Sequence, residues 1–297
     1  MSKIPTMNTP TLTAVLLASL GSLVALSSVG QDGEAAPLEF PDASPAATLT
    51  QRVGVTDVEV SYNRPSMNGR KIFGGLQPFG EIWRAGANAA TKVTFSGDVV
   101  FGGAEVPAGS YSLFAMPGQD EWTVILNTVA DQSGAYGYKK SEDQVRVQVK
   151  PMTLSQPVET LAIGFMDFAS GAATLYLEWE TTRVPVRIDT KIAESMGPRI
   201  EAAMAADGEH PYFAAAMFYY DNDLDMDKAA AWIDEAVKAN PQAFWISYRK
   251  GLILEKKGDN AGAIMAAKAS LAQAQKASGA VKIEYVRLNE TLIARCK

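Results

Sequence analysis

The hydrophobic pattern of the chain changes its period once, near Asp189. Before this point apolar and polar residues alternate in short runs, and glycine or proline separates most of the runs. After it, apolar residues recur at every third or fourth position, as in Ile192, Met196 and Ile200. Alternation is typical of half-buried strands, and the longer period is typical of amphipathic helices. The chain is therefore predicted to have two domains, an all-β antiparallel domain followed by an all-α helical region.

The first 30 residues are predicted to be a secretory signal peptide. An apolar run extends from Leu12 to Leu26, which is shorter than the ~20 residues that a membrane span needs. Small residues follow at Ser28 and Gly30, as a cleavage site requires. We expect export to the periplasm or the cell exterior, with an uncleaved N-terminal membrane anchor as the alternative. The predicted boundaries are a linker at 31–44, the β domain at 45–189 and the helical region at 190–297.

The β domain is predicted to contain about ten short strands. Gly102-Gly103 is predicted to form a two-residue hairpin turn. Near the end of the domain, Ala173–Glu180 and Val184–Ile188 are predicted as two separate strands. No helical pattern interrupts the series, so we expect an antiparallel sandwich or a barrel-like arrangement.

The stretch from Asn68 to Asn88 fits neither period, and its glycines and apolar residues predict an ordered loop. Arginine suits anionic groups and asparagine both donates and accepts, while aromatic rings in this domain could stack on a ligand. A polar ligand, anionic or glycan in nature, is therefore predicted to bind here. The alternative is that the arginines form salt bridges with Asp57, Glu59 or Asp167 and the aromatic rings fill the core. The predicted ligand-binding residues are Arg70, Trp83, Arg84, Asn88, Tyr111, Trp122 and Tyr136.

Four segments of the β domain carry a family resemblance. They read SYNRPSMNGRKIFGG, PFGEIWRAGANAATKVTF, VPAGSYSLFAMPGQDEWTVILN and SGAYGY. In this order they resemble the bacterial family called domain of unknown function 2911, over about Ser44 to Asp189. The resemblance implies an exported protein, and it implies no activity and no catalytic residues.

The helical region resembles tetratricopeptide repeats. Phe213–Pro241 fits the 34-residue template, and a second copy follows one period later with small residues at Gly251 and Ala263. Val281–Arg295 is predicted to be a capping helix whose inward residues are Ile283, Val286 and Ile293. Such repeats bind peptides or partner proteins on a concave face. The alternative is a packing appendage without a ligand.

Other motifs are predicted to be structural. The aspartates of DNDLDMD lack the glycine and glutamate of a calcium loop, so Asp225 is predicted to cap a helix instead. His210 is far in sequence from any nucleophile, and Cys296 has no histidine nearby. One histidine and one cysteine cannot make the usual zinc sites within a single chain. We predict no cofactor, no metal site and, because neither half has a basic excess, no nucleic-acid partner.

Three functions remain open from the sequence. The first is an exported binding or interaction protein, with a polar ligand in the β domain and a protein partner on the repeats. The second is a hydrolase of envelope glycans or peptides that uses a carboxylate near the same loop. The third is a structural envelope module without a small ligand.

Overall fold

The computed structural model describes residues 40–297, so the predicted signal peptide and most of the predicted linker lie outside the described part. Within it, ten strands precede six α-helices. The strands are β1 (Ala46–Val53), β2 (Thr56–Asn63), β3 (Thr91–Phe95), β4 (Val99–Phe101), β5 (Ala104–Val106), β6 (Gly109–Met116), β7 (Trp122–Asn127), β8 (Asp143–Val149), β9 (Met152–Ala169) and β10 (Ala172–Asp189). The helices are α1 (Ile192–Ala205), α2 (Tyr212–Asp221), α3 (Met226–Ala239), α4 (Phe244–Lys257), α5 (Asn260–Ala274) and α6 (Gly279–Arg295). A short 3₁₀ turn, Lys140–Glu142, precedes β8.

The strands form two antiparallel sheets. The first has the order β1-β2-β3-β6-β7-β8, and the second has the order β5-β4-β10-β9. Buried side chains of both sheets belong to one hydrophobic cluster, with Val60 and Phe95 from the first sheet and Leu175 and Trp179 from the second. The prediction of an antiparallel β region followed by helices is confirmed.

The hairpin turn at Gly102-Gly103 is also confirmed. Phe101 pairs with Ala104 across it, and both glycines have positive φ, at 56° and 92°. This backbone matches the twist of the flanking strands and favours glycine at both positions.

The end of the β region differs from the prediction. Ala173–Glu180 and Val184–Ile188 are parts of one strand, β10, and not two. Glu180 has a positive φ of 55°, and the pairing register with β9 shifts on both sides of it. Such bulges bend a strand without ending it, so an irregular stretch in the sequence does not mark a break.

The loop between β2 and β3 makes hydrogen bonds to both sheets. The Met67 amide donates to Glu159 O in β9 (2.8 Å), while Trp83 N donates to Ala115 O in β6 (2.7 Å). Ile72, Phe73 and Trp83 of this loop are buried in the shared core. The loop is therefore a part of the core of the β region.

Consecutive helices pack against one another through small residues. Ala229 and Ala263 are fully buried, and a Cβ on Gly251 would lie 2.8 Å from Leu292 Cδ2. Small side chains let the helix axes approach closely. No helix within residues 40–297 is both long enough and apolar enough to cross a membrane.

The prediction for the last helix is wrong in one respect. Ile283 was expected to face inward, but it is 73% exposed. The buried residues of α6, Asn289 and Leu292, both lie in its C-terminal half, where Asn289 Nδ2 donates to Ser270 Oγ of α5 (2.9 Å). Val286 and Ile293 are partly buried. The first turns of α6 extend past the packed part and leave Ile283 in solvent.

Helix α1 joins the helical region to the β region. Ile192, its first residue, is buried against the turn between β9 and β10, where a Cβ on Gly171 would lie only 2.2 Å from Ile192 Cγ2. Thr190 N donates to Gly171 O at the same place (2.8 Å). A glycine is required at this turn for the two regions to meet.

Candidate functional site

Three of the predicted ligand-binding residues, Trp83, Tyr111 and Trp122, lie in the core. Trp83 stacks on Trp179 with ring centres 5.8 Å apart, and its Nε1 donates to Gly86 O (3.1 Å). The Tyr111 hydroxyl donates to a backbone carbonyl (2.8 Å), and burial raises the pKa of Tyr111. This corrects the expectation that these rings offer stacking faces at the surface, because an apolar ring gains more by packing against other rings than by facing water.

Arg70 is exposed and braces its own loop. Its Nε donates to Met67 O (2.8 Å) and its Nη2 to Ser66 O (2.7 Å). It does not form the salt bridge considered with Asp57, whose carboxylate pairs with Arg52 (3.3 Å). The role of Arg70 in this structure is to hold a turn through backbone carbonyls.

The remaining three predicted residues, Arg84, Asn88 and Tyr136, lie in one neighbourhood. A Cβ placed on Gly134 would lie 3.9 Å from Arg84 Nη1 and 3.0 Å from Tyr136 Cε2. Asn88 is exposed and has a positive φ of 56°. It lies two residues before Ala90, whose backbone amide donates to Gln132 O.

Two neighbouring backbone amides hold this neighbourhood together. Thr91 N donates to Arg84 O (3.1 Å), and Ala90 N donates to Gln132 O (3.0 Å). The end of the β2–β3 loop and the segment 130–136 are thereby held side by side.

A groove of about 630 Å³ opens between these two segments and the neighbouring strands. Most of its lining is alanine, hydroxyl or amide side chains, and its charged lining residues in the described chain are Lys92 and Asp131, which pair at 3.0 Å. Asn88 lines the groove, whereas Arg84, which is close to Gly134, does not line it. The lining consists of Ala46, Ala47, Thr48, Ser61, Tyr62, Asn63, Asn88, Ala89, Ala90, Lys92, Ala130, Asp131, Gln132 and Ser133.

Gln132 lines the groove and was not among the residues predicted from the sequence. Its Nε2 donates to Asn127 Oδ1 (2.9 Å) and to Val129 O (2.9 Å). Its Oε1 is buried and has no hydrogen-bond partner among the described residues. A glutamine in a polar loop carries no sequence signal for such a role, because the role depends on a packing partner in β7.

The Arg84 side chain has the complementary feature, a buried donor instead of a buried acceptor. Its Nε is buried, and no acceptor contacts it within residues 40–297. Buried polar groups in native structures nearly always have a partner, so each exception requires an explanation. Here a buried donor and a buried acceptor without protein partners lie on the two segments that border one groove.

A buried polar network contacts Gln132 through Asn127. Tyr138 donates to Asp143 Oδ2 (2.7 Å), and Arg146 Nη1 contacts the same oxygen (2.8 Å). Asn127, which is fully buried, donates to Asp143 Oδ1 (3.0 Å) and accepts from Gln132. Burial raises the pKa of Tyr138 to about 12. The orientation of Gln132 is therefore set by a chain of fixed donors and acceptors.

The other motifs have structural roles. Asp225 accepts from the amides of Asp227 (2.9 Å) and Lys228 (3.1 Å), so its prediction as a helix cap is confirmed. His210 Nδ1 lies 3.2 Å from Ala203 O, and Cys296 is buried with its pKa raised by burial. In the part of the chain that the structure describes, no three histidine, cysteine, aspartate or glutamate side chains come together as a metal site would need.

Comparison with known families gives one result. Residues 44–188 match a family described as protein of unknown function (DUF2911), which confirms the resemblance of the β region. The helices lie outside this match. No curated protein and no solved structure matches the chain.

Proposed function

We propose that the protein is an exported ligand-binding protein whose β region holds a small polar ligand in the groove beside Asn88. The observation that carries this proposal is the groove itself, about 630 Å³ in volume, whose lining brings Asn88 together with other amide and hydroxyl side chains. The unpartnered Nε of Arg84 beside the same groove supports the proposal.

The hydrolase alternative lacks a comparable observation. A general acid or nucleophile of that kind needs a carboxyl group whose pKa is raised by burial near the groove. Among residues 40–297, the carboxyl groups with a displaced pKa are Glu105, Glu201 and Glu255, and in each case a hydrogen bond from a neighbouring Lys or Arg side chain lowers the pKa. None of the three lines the groove. Binding is therefore the better-supported function.

The helical region is proposed to be a tetratricopeptide-like array that contacts a protein partner. Helix α3 begins at Met226 and α5 begins at Asn260, 34 residues later, which equals the period of such repeats. The small residues at the template positions, Ala229 and Ala263, are buried between helices. The two antiparallel sheets with one shared core support the related proposal of a β-sandwich.

Export is proposed from the sequence alone, since residues 1–39 lie outside the described part. Mass spectrometry of the protein from a bacterial host that exports it would test this. Loss of about the first 30 residues supports export, and an intact N-terminus in the cytoplasmic fraction contradicts it.

A thermal-shift screen tests the groove. The protein lacking its signal segment would be screened against sugars, amino acids, muropeptides and small anions. At about 100 times its Kd a ligand adds about 2.7 kcal/mol of stability, which corresponds to about 5–11 °C in Tm for a protein of this size.

Asn88→Gly is the diagnostic variant for this screen. Glycine accepts the positive φ of 56° at this position, so the change removes the amide side chain without backbone strain. Asn68→Gly is the matched control, because Asn68 is also exposed, has a φ of 49° and lies in the same loop outside the groove. Protection that is weaker in Asn88→Gly than in Asn68→Gly supports the groove. Equal protection in both variants would place the ligand elsewhere.

A further inference from the structure

We infer that the ligand of this groove carries an oxyanion, a carboxylate or a phosphate group, and that the guanidinium of Arg84 binds it. The inference rests on the proposed function and names the chemical class of the ligand at the same site. It follows from the partners of the arginines in the β region, from the charges around the groove and from the position of Arg84 beside Gly134.

Arg84 differs from every other arginine of the β region. The others all have acceptors within the protein: Arg52, Arg146 and Arg183 form ion pairs with carboxylates, and Arg64, Arg70 and Arg187 donate to backbone carbonyl oxygens. Arg84 Nε is buried without an acceptor, and no ion pair between the described residues includes Arg84. A guanidinium that is withdrawn from water and lacks an acceptor requires a partner from outside the chain.

The surroundings of Arg84 hold its side chain in place. Its neighbours in the chain, Trp83 and Ala85, are buried in the core, and its carbonyl oxygen accepts from Thr91 N (3.1 Å). The side chain is partly exposed and Nε is its buried nitrogen, so the terminal Nη groups are the part that a ligand can reach. The planar guanidinium matches the paired oxygens of a carboxylate or a phosphate. A fixed guanidinium without an internal acceptor is therefore preorganised for an oxyanion.

The carboxylates around the groove do not neutralise Arg84. Those of the segment that borders the groove are already paired: Asp131 with Lys92, Glu142 with Lys139 and Asp143 with Arg146. The acid of the β2–β3 loop, Glu81, is exposed, and it forms no ion pair with Arg84. One positive charge therefore remains uncompensated beside the groove, which favours a ligand with a negative group.

Gly134 lies between the groove, the guanidinium and an exposed aromatic ring. Ser133 lines the groove, and Gly134 follows it in the chain. A Cβ on Gly134 would lie 3.9 Å from Arg84 Nη1 and 3.0 Å from Tyr136 Cε2. The Tyr136 side chain is 93% exposed and offers a flat apolar face together with a polar tip. A ligand whose polar body occupies the groove can therefore extend past Ser133 and place its oxyanion on Arg84.

Isothermal titration calorimetry on the protein expressed as its full chain tests the inference. The probes are glucose, glucuronate and glucose 6-phosphate, which share one neutral body, together with inorganic phosphate. Glucuronate or glucose 6-phosphate should bind about tenfold or more tightly than glucose, because a charged hydrogen bond contributes about 1.5–3 kcal/mol. The two charged probes distinguish a carboxylate site from a phosphate site. Their affinity should fall as salt is raised from about 0.05 to 0.5 M, since the ion pair is screened.

Arg84→Met is the diagnostic variant, and Arg70→Met is its matched control. Both variants remove one arginine from the same loop, and Arg70 lies outside the groove. Binding of the charged probes should weaken about tenfold or more in Arg84→Met, recover in part in Arg84→Lys and stay unchanged in Arg70→Met. Without a probe, Arg84→Met should keep the Tm of the parent protein, because its Nε has no acceptor in the protein to lose. A lowered Tm together with unchanged binding would assign Arg84 a structural role and overturn the inference.

Failure of the inference and failure of the proposed function give different results. Glucose binding as tight as that of its charged analogues would overturn the inference, and weaker binding in Asn88→Gly would still support the proposed function. Binding of a charged probe that requires Arg84 and not Asn88 would keep the oxyanion site and overturn the groove as the binding site. Folded parent protein that binds none of the probes would overturn the inference.

Discussion

Phe73 provides a test of whether the β2–β3 loop is anchored by the core. Its ring is 6% exposed and contacts three indoles edge-on, with centres 4.7 Å from Trp122, 5.8 Å from Trp83 and 6.2 Å from Trp179. Phe73→Ala would leave a cavity where these rings meet. Buried Phe→Ala changes cost about 3–5 kcal/mol, because the lost transfer free energy is joined by a cavity term.

Phe79→Ala is the matched control for this change. Phe79 lies in the same loop and is 40% exposed. Complete burial of a phenylalanine contributes about 1.5–3 kcal/mol, so a ring buried to this extent contributes about 1–2 kcal/mol. The expected difference in the free energy of unfolding between the two variants is therefore about 1–4 kcal/mol.

Urea unfolding followed by tryptophan fluorescence measures this difference, since three indoles surround Phe73 and report on its cluster. The midpoint should fall clearly further in Phe73→Ala than in Phe79→Ala, with the slope unchanged. Near-ultraviolet circular dichroism should also decrease in the first variant alone. Equal costs for the two variants would refute the conclusion that the loop is anchored through Phe73.

Three further predictions concern other elements. Asp225→Ala removes the cap of α3 and should cost about 0.5–2 kcal/mol, against less than about 0.5 kcal/mol for the exposed Asp207→Ala, as measured by thermal unfolding. The pKa of Tyr138 rises from 10.0 to about 12 on folding, so its contribution to stability is complete below pH ~10 and is lost as pH rises towards ~12. When Tm is measured across this pH window, it should fall less steeply for Tyr138→Phe than for the parent protein. Gly171→Ala places a Cβ 2.2 Å from Ile192 at a position with a positive φ of 67°, so backbone strain and overpacking should together cost about 2–5 kcal/mol. Urea unfolding measures this cost, and an unchanged midpoint would contradict the close packing of Gly171 against α1.

Local features of the fold could be predicted where neighbouring residues decide them. The glycine pair at 102–103 forms a hairpin turn because both residues need positive φ, and Asp225 caps α3 because its carboxylate reaches amides two and three residues ahead. At β10 the local pattern gave a wrong prediction, two strands instead of one. Bulges around Glu180 let one strand continue through residues that read as a break, and only the pairing with β9 holds them there.

The candidate site was predicted in part for the same reason. Arginine, asparagine and tyrosine are residue types that bind polar ligands, and Arg84, Asn88 and Tyr136 do lie together. Trp83 and Trp122 could not be separated from them by residue type, because burial depends on contacts with distant residues such as Trp179. Gln132 was missed because its role follows from a hydrogen bond to Asn127.

The sequence by itself determined the change from strands to helices near Asp189, the turns, the caps and the family resemblance of the β region. These depend on periodicity and on backbone preferences that act over a few residues. Only the tertiary structure decided which rings are buried, which residues line the groove and which polar atoms of the described residues lack partners. Such properties arise from contacts between residues far apart in the chain, as when Arg64 Nε, in the β2–β3 loop, donates to Leu161 O in β9 at 2.9 Å. Exposure and hydrogen-bond satisfaction are properties of the packed whole, and a local pattern cannot encode them.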